Sequence, residues 1–218
     1  MGRLKKGING PVSGKVGNVV GSSWNGIDYI KSLPKRRKEP TENELKNRYR
    51  FGLSQAWLSP LLVFVRQGFK GYTETYEGFA AAKSYLLKNA MEGEGFESRV
   101  NPALVKVSHG NLPLSEDIRF EKISDSELLF TWNPGRVAGG YADDQVMLLA
   151  YNVENKDDAN SGVAYYTLTG QFRKAGSDVL SIAPDSYNPG KIYHIYIAFS
   201  AFDRSSQSDS VYLGTVKI

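Results

Sequence analysis

From Leu104 onward the chain reads as short apolar runs broken by turn residues, and this pattern restricts the fold more than any other feature. Candidate strands fall at 104–108, 118–123, 127–132, 145–153, 163–169, 178–182, 191–199 and 210–217. Seven or eight short strands over about 110 residues predict an antiparallel β-sandwich. Leu128, Phe130 and Trp132 alternate on one face, as do Tyr193, Ile195, Ile197 and Phe199. The last of these runs also carries Ile192, Tyr196 and Ala198, so its second face needs a cover. The preceding helices or an N-terminal hairpin could supply it.

Ahead of the strands the period changes. Thr41-Glu42-Asn43-Glu44 is a capping box, in which hydroxyl and carboxylate satisfy the first free amides of a helix. Leu45, Tyr49, Leu53, Ala56 and Trp57 then recur at helical spacing. Pro60 should kink or restart this helix, because it lacks an amide hydrogen and its ring clashes with the preceding turn. A second helix is expected over 79–91, ended by Gly93 and Gly95. Tyr49, Trp57, Phe69 and Tyr72 read as core, and Arg48 and Arg50 as a solvated flank.

The first 40 residues are different again. "GPVSGKVGNVVGSSWNGIDYIKSLPKRRK" is rich in glycine and ends in a basic run. It is not a phosphate loop: Gly10 and Gly14 are too close, and Lys15 is followed by Val16 where a hydroxyl is needed. Gly14, Gly17 and Gly21 do not reproduce the dinucleotide fingerprint either. Asn25-Gly26 is the preferred dipeptide of a type I′ hairpin turn, because both positions take positive φ. A two-residue loop would pair Trp24 with Ile27 and Ser22 with Tyr29. Pro34 ends the second strand, and Lys35, Arg36, Arg37 and Lys38 form a solvated link to Pro40.

Charge follows the same division. Residues 1–40 hold nine Lys/Arg and two acids, whereas residues 101–218 hold ten and fourteen. A basic head on a mildly acidic body attracts nucleic acid, an anionic surface or the body of another copy. The chain has no cysteine, which excludes disulfides and thiolate metal sites. It has no apolar run long enough to span a membrane. No signal-peptide core follows the basic N-terminus, so a cytoplasmic location is expected, with release by another route left open.

Catalytic chemistry finds little support. Of the two histidines, His194 lies mid-strand and reads as structural, and His109 precedes Gly110 in a turn. Neither supports a serine-histidine-aspartate arrangement. Asp143-Asp144 and Asp157-Asp158 read as solvated loops, since neither has calcium-loop spacing. No catalytic residue, cofactor or metal site is expected.

Two resemblances add to this reading. "ELLFTW" resembles the second strand of a fibronectin type III module with its core tryptophan. "PGKIYHIYIAFSAFDRSSQSDSVYLG" resembles its sixth strand, loop and last strand. Over nearly its whole length the chain also resembles an uncharacterised family of Bacteroidota proteins, classed as a domain of unknown function. That resemblance rests on "GPVSGKVGNVVGSSWNGIDYIKSLP", "NRYRFGLSQAWLSPL", "VKVSHGNLP" and "SVYLG". It implies no activity and transfers no catalytic residue.

The expectation is an α+β chain: a basic β-hairpin arm over 1–40, a helical segment over 41–100 and a fibronectin III- or immunoglobulin-like β-sandwich over 101–218. The expected function is that of a non-enzymatic structural protein that self-associates through Val19, Val20, Trp24, Asn25, Gly26, Ile27 and Tyr29. Strand addition would give a homo-oligomer or filament. One alternative is sequence-independent nucleic-acid binding through Lys35, Arg36, Arg37 and Lys38 with Arg3, Lys5, Lys6 and Lys15. Another, by fold analogy alone, is carbohydrate or ligand binding by the sandwich loops. No small-molecule substrate is expected.

Overall fold

The computed structural model describes residues 2–4, 7, 10–24, 26–35, 39–72, 78–135, 137–153, 162–183 and 190–218. The chain divides into two compact units, Met1–Glu42 and Asn43–Ile218.

The first unit is an antiparallel meander of four strands in chain order. These are β1 (Arg3–Leu4), β2 (Val12–Val16), β3 (Val19–Trp24) and β4 (Ile27–Ser32). Gly17-Asn18 turns β2 into β3, with Val16 opposite Val19. Trp24 pairs with Ile27 and Ser22 with Tyr29, the register that a two-residue loop at Asn25-Gly26 requires. Gly26 has φ +80°, the left-handed region such a turn demands; Asn25 lies outside the described residues. Gly21 is the only buried residue of this unit among those described. A Cβ there would fall inside the Val12 carbonyl, so the close crossing of β2 over β3 requires glycine.

Helices open the second unit. α1 (Glu42–Leu58) starts one residue after Thr41, where the capping box puts it. Pro60 ends it as expected: Ser59–Leu61 forms a 3-10 turn, and the helix resumes as α2 (Leu62–Gly68). α3 (Gly78–Asn89) leads into a short ladder of β5 (Met91–Glu92) and β6 (Arg99–Val100). The apolar stripe of α1 is buried only towards its end, at Trp57 and Leu58. Leu45 and Tyr49 are exposed, as is Tyr72. The expectation that Tyr49 and Tyr72 are core is therefore corrected. Tyr49 meets the ring of Phe96, itself exposed, edge to face, and Tyr72 lies against the rims of Phe69 and His109.

Seven strands follow among the described residues: β7 (Arg119–Ser124), β8 (Glu127–Thr131), β9 (Gln145–Asn152), β10 (Val163–Thr167), β11 (Ser177–Ser181), β12 (Ile192–Ser200) and β13 (Val211–Lys217). They form two antiparallel sheets, ordered β11-β8-β7 and β10-β9-β12-β13. That partition is a fibronectin III-like sandwich. β8 is its second strand and β12 its sixth, as the residue patterns implied. Residues 105–108, expected as part of a strand, are not one. The Val107 amide donates to the Ser210 hydroxyl, and the Ser108 carbonyl accepts from the Ser210 amide, so the segment is tied irregularly without a ladder.

Two apolar clusters hold the unit together, one on each face of β9 and β12. Between the sheets lie Leu128, Phe130, Trp132, Leu148, Ile195, Ile197 and Phe199. On the outer face, Met147, Leu149, Tyr151, Tyr196 and Ala198 pack against Trp57, Leu58, Leu61, Phe64, Val65 and Leu86. The cover that the two-faced β12 called for is thus the helices. The Tyr151 hydroxyl donates to the Trp57 carbonyl at 2.9 Å, and the two rings meet edge to face. The residues read as a helical segment therefore share one core with the sandwich.

Candidate interaction surface

Strand pairing in the first unit sorts its side chains onto two faces, because cross-strand partners share a face and neighbours along a strand alternate. Arg3 pairs with Ser13, Lys15 with Val20, and Val20 with Lys31. Arg3, Lys15, Lys31, Val20, Trp24, Ile27 and Tyr29 therefore stand on one face. Leu4, Val12, Val16, Val19 and Ile30 stand on the other, around the Gly14–Gly21 pair, with Asp28 beside Ser23 at its end.

Of the residues expected to mediate self-association, Val20, Trp24, Ile27 and Tyr29 thus come together, and Val19 is directed away from them. Trp24, at the end of β3, is 54% exposed, and Ile27 is 64% exposed on β4, whose every residue is exposed. Across the sheet Ile30 is 62% exposed, and Val16, Val19 and Leu4 are exposed with it. A sheet with apolar side chains bare on both faces is unusual, since contiguous exposed apolar patches mark interaction sites. β4 also forms the edge of its sheet, and its outer edge has no strand partner among the described residues. Of the basic run, Lys35 is exposed, whereas Arg36, Arg37 and Lys38 lie outside the described residues, as do Lys5 and Lys6.

Two polar clusters in the second unit escaped the sequence reading. His109 was expected as a turn residue, but its Nδ1 contacts the Asp209 carboxylate, which also accepts from Lys106. The imidazole stacks on Tyr85, with centroids 6.1 Å apart. Partial burial pushes the Asp209 carboxyl upward, but its bonds from Lys106 and the Gly110 amide outweigh that and hold it below the usual carboxylate range. Around this pair the Gln207 amide donates to the carbonyls of Lys70 and His109, so the cluster clamps the end of the helices to the loop between β12 and β13.

The second cluster corrects the reading of Asp143-Asp144 as solvated. Asp143 is exposed and pairs with Lys174. Asp144 is 1% exposed and faces Arg173, equally buried, at 3.2 Å. Arg173 also donates to the Ser115 hydroxyl and the Pro113 carbonyl, and its guanidinium lies 4.3 Å from the Phe199 ring centre. Burial draws its pKa down and Asp144 draws it back. His194 is the mid-strand structural residue expected: its Nδ1 lies 3.0 Å from the Tyr212 hydroxyl, and burial keeps its pKa below the usual imidazole value. Among the described residues no group of three or more His, Cys, Asp or Glu could hold a metal. No helix among them is long and apolar enough to cross a membrane.

The profile of the Family of unknown function (DUF6266) matches residues 11–214. The chain belongs to that family. The match begins inside the N-terminal sheet and ends inside β13, so sheet, helices and sandwich are all parts of what defines DUF6266. No curated protein sequence matches the chain. Among solved structures it is similar to the crystal structure of chicken CNTN1 FN1-FN3 domains, with 15% identity and a TM-score of 0.31. That likeness covers 50% of this chain and 32% of the other, so the chain spans about a third of that structure's length.

Proposed function

We propose that this chain is a non-enzymatic interaction protein that self-associates by strand addition along β4. The observation that carries the reading is the edge itself: six residues, all exposed, with an outer edge that no strand occupies among the described residues. Unpaired edges of this kind template the addition of another strand unless charge, proline or a bulge blunts them. Within β4 there is no proline, its pairing with β3 has no bulge, and its two charges, Asp28 and Lys31, are of opposite sign.

β4 is also self-complementary. An antiparallel pairing of two copies about Ile30 keeps like faces together. It sets Tyr29 opposite the second copy's Lys31 and Asp28 opposite its Ser32, with no like charges facing. The meander would then run through eight strands, and the aliphatic face of Val16, Val19 and Ile30 would double in extent. The pairing satisfies the outward amides and carbonyls of β4 and brings Ile30 against its copy, so backbone hydrogen bonds supply affinity and the cross-strand side chains supply register.

Light scattering on the full chain tests this. The wild type is expected as a dimer or larger species at about 100 µM, a concentration at which interfaces of even weak affinity fill. Ile30→Lys places two like charges at the axis and should leave a monomer. A monomeric wild type, or an Ile30→Lys variant of unchanged mass, would remove the reading.

A further inference from the structure

The opposite face of the same sheet has a different chemistry, and we infer that it binds single-stranded nucleic acid without sequence preference. Three cations stand on it, Arg3, Lys15 and Lys31, all exposed. The only acidic residue of the four strands, Asp28, is on the other face. Val20 stands between Lys15 and Lys31, and beside this row, towards the β3–β4 turn, lie the exposed rings of Tyr29 and then Trp24, with Ile27 next to Trp24. Trp24 pairs with Ile27, so Tyr29 is its diagonal neighbour, about 7–8 Å away. Lys31 reaches back to 5.9 Å from the Tyr29 ring centre.

Each part of this arrangement selects for the ligand. Rows of cations attract any polyanion, but flat aromatic rings add free energy only when the polyanion brings flat groups to stack on them. A duplex keeps its bases stacked inside and offers these rings nothing. An acidic peptide offers charge without π-faces. A single strand offers both, with phosphates for Arg3, Lys15 and Lys31 and bases for Trp24 and Tyr29. Apart from Ser13 and Ser22 the face has no small polar side chains to read base edges, so recognition is by stacking and charge. Self-association would use the β4 edge and set Tyr29 beside the second copy's Lys31 on this same face, which extends the row of rings and cations without covering it.

Fluorescence anisotropy with labelled oligo(dT) of about 15 nucleotides tests the inference on the full chain, a length within the usual site size of such platforms. Binding should weaken with salt at a logarithmic slope of about −2, the value for three phosphate contacts on a single strand. Trp24→Ala with Tyr29→Ala should weaken it by about 30-fold or more, the loss of two stacked bases. Trp24→Phe with Tyr29→Phe keeps the rings and should retain most of the affinity. Lys15→Gln with Lys31→Gln should reduce the slope by about 1.4. Ile30→Lys, on the other face, should leave binding intact, which separates failure here from failure of self-association. No anisotropy change at about 50 mM salt, a regime in which such contacts are strong, would overturn the inference. So would equal loss in the alanine and phenylalanine pairs, preference for duplex over single strand, or displacement by polyglutamate as effective as by unlabelled oligo(dT).

Discussion

Arg173 is held by Asp144 in a place where neither could stand alone. Both are 1% exposed, and Ser115, Pro113 and the Phe199 ring complete the setting. Removing one partner of a buried pair strands the other charge, which typically costs about 3–5 kcal/mol, whereas replacing both by apolar groups can be neutral. Asp144→Asn should therefore lower unfolding stability by about 3 kcal/mol or more in urea titration, and Asp144→Asn with Arg173→Met should recover much of it. An Asp144→Asn variant as stable as wild type would mean that the pair is solvated. None of this was legible in the sequence. Asp143-Asp144 reads as a turn, and Arg173 comes beside it only because the β10–β11 connection folds back on the start of β9. His109 hid in the same way, since its partner Asp209 is brought to it by the loop after β12. By contrast the glycine at position 26 announced its turn, because a left-handed residue after asparagine is a local requirement.

At the scale of elements, what was local could be read and what was tertiary could not. The strands of the sandwich follow from period-two alternation and turn chemistry, and they appear within a residue or two of the expected ends. The break at Pro60 follows from the missing amide. The extent of burial on α1 does not: Leu45 and Tyr49 continue the stripe of Trp57, but no element covers them beyond the turn at Phe96. Residues 105–108 alternate like a strand because Val105 and Val107 both enter the core, yet their polar atoms go to side chains and loops. Ser108 is central to this tie. Its hydroxyl, fully buried, lies 2.7 Å from the Ser208 carbonyl and 3.2 Å from the Gly68 carbonyl, joining the end of α2 to the loop before β13. Ser108→Ala leaves a buried carbonyl without its donor, which costs about 1–3 kcal/mol. The expected result is a matching fall in the urea midpoint at unchanged m-value; a change below about 0.5 kcal/mol, the range of ordinary surface substitutions, would mean that water replaces the hydroxyl.

For the whole molecule, the question is what the N-terminal sheet is for if the body does not need it. Among the described residues, neither apolar cluster of the second unit contains one from before Trp57. The sheet in turn buries only Gly21 among its described residues, and a few exposed strands without a covered face are marginal in water. Stability therefore resides in the body. Removing residues 1–40 takes away nine basic and two acidic residues and carries the net charge from +4 to −3. The remaining chain should unfold cooperatively in urea with a midpoint close to that of the full chain, because a body of this size needs only about 5–15 kcal/mol and both its clusters are intact. It should also be monomeric by light scattering and bind no oligo(dT). If the fragment instead proved insoluble or lost cooperativity, the sheet would be part of the body's own core, and its bare faces could not be surfaces kept for partners. If it folded but kept the mass of the full-length species, self-association would belong to the body and not to β4.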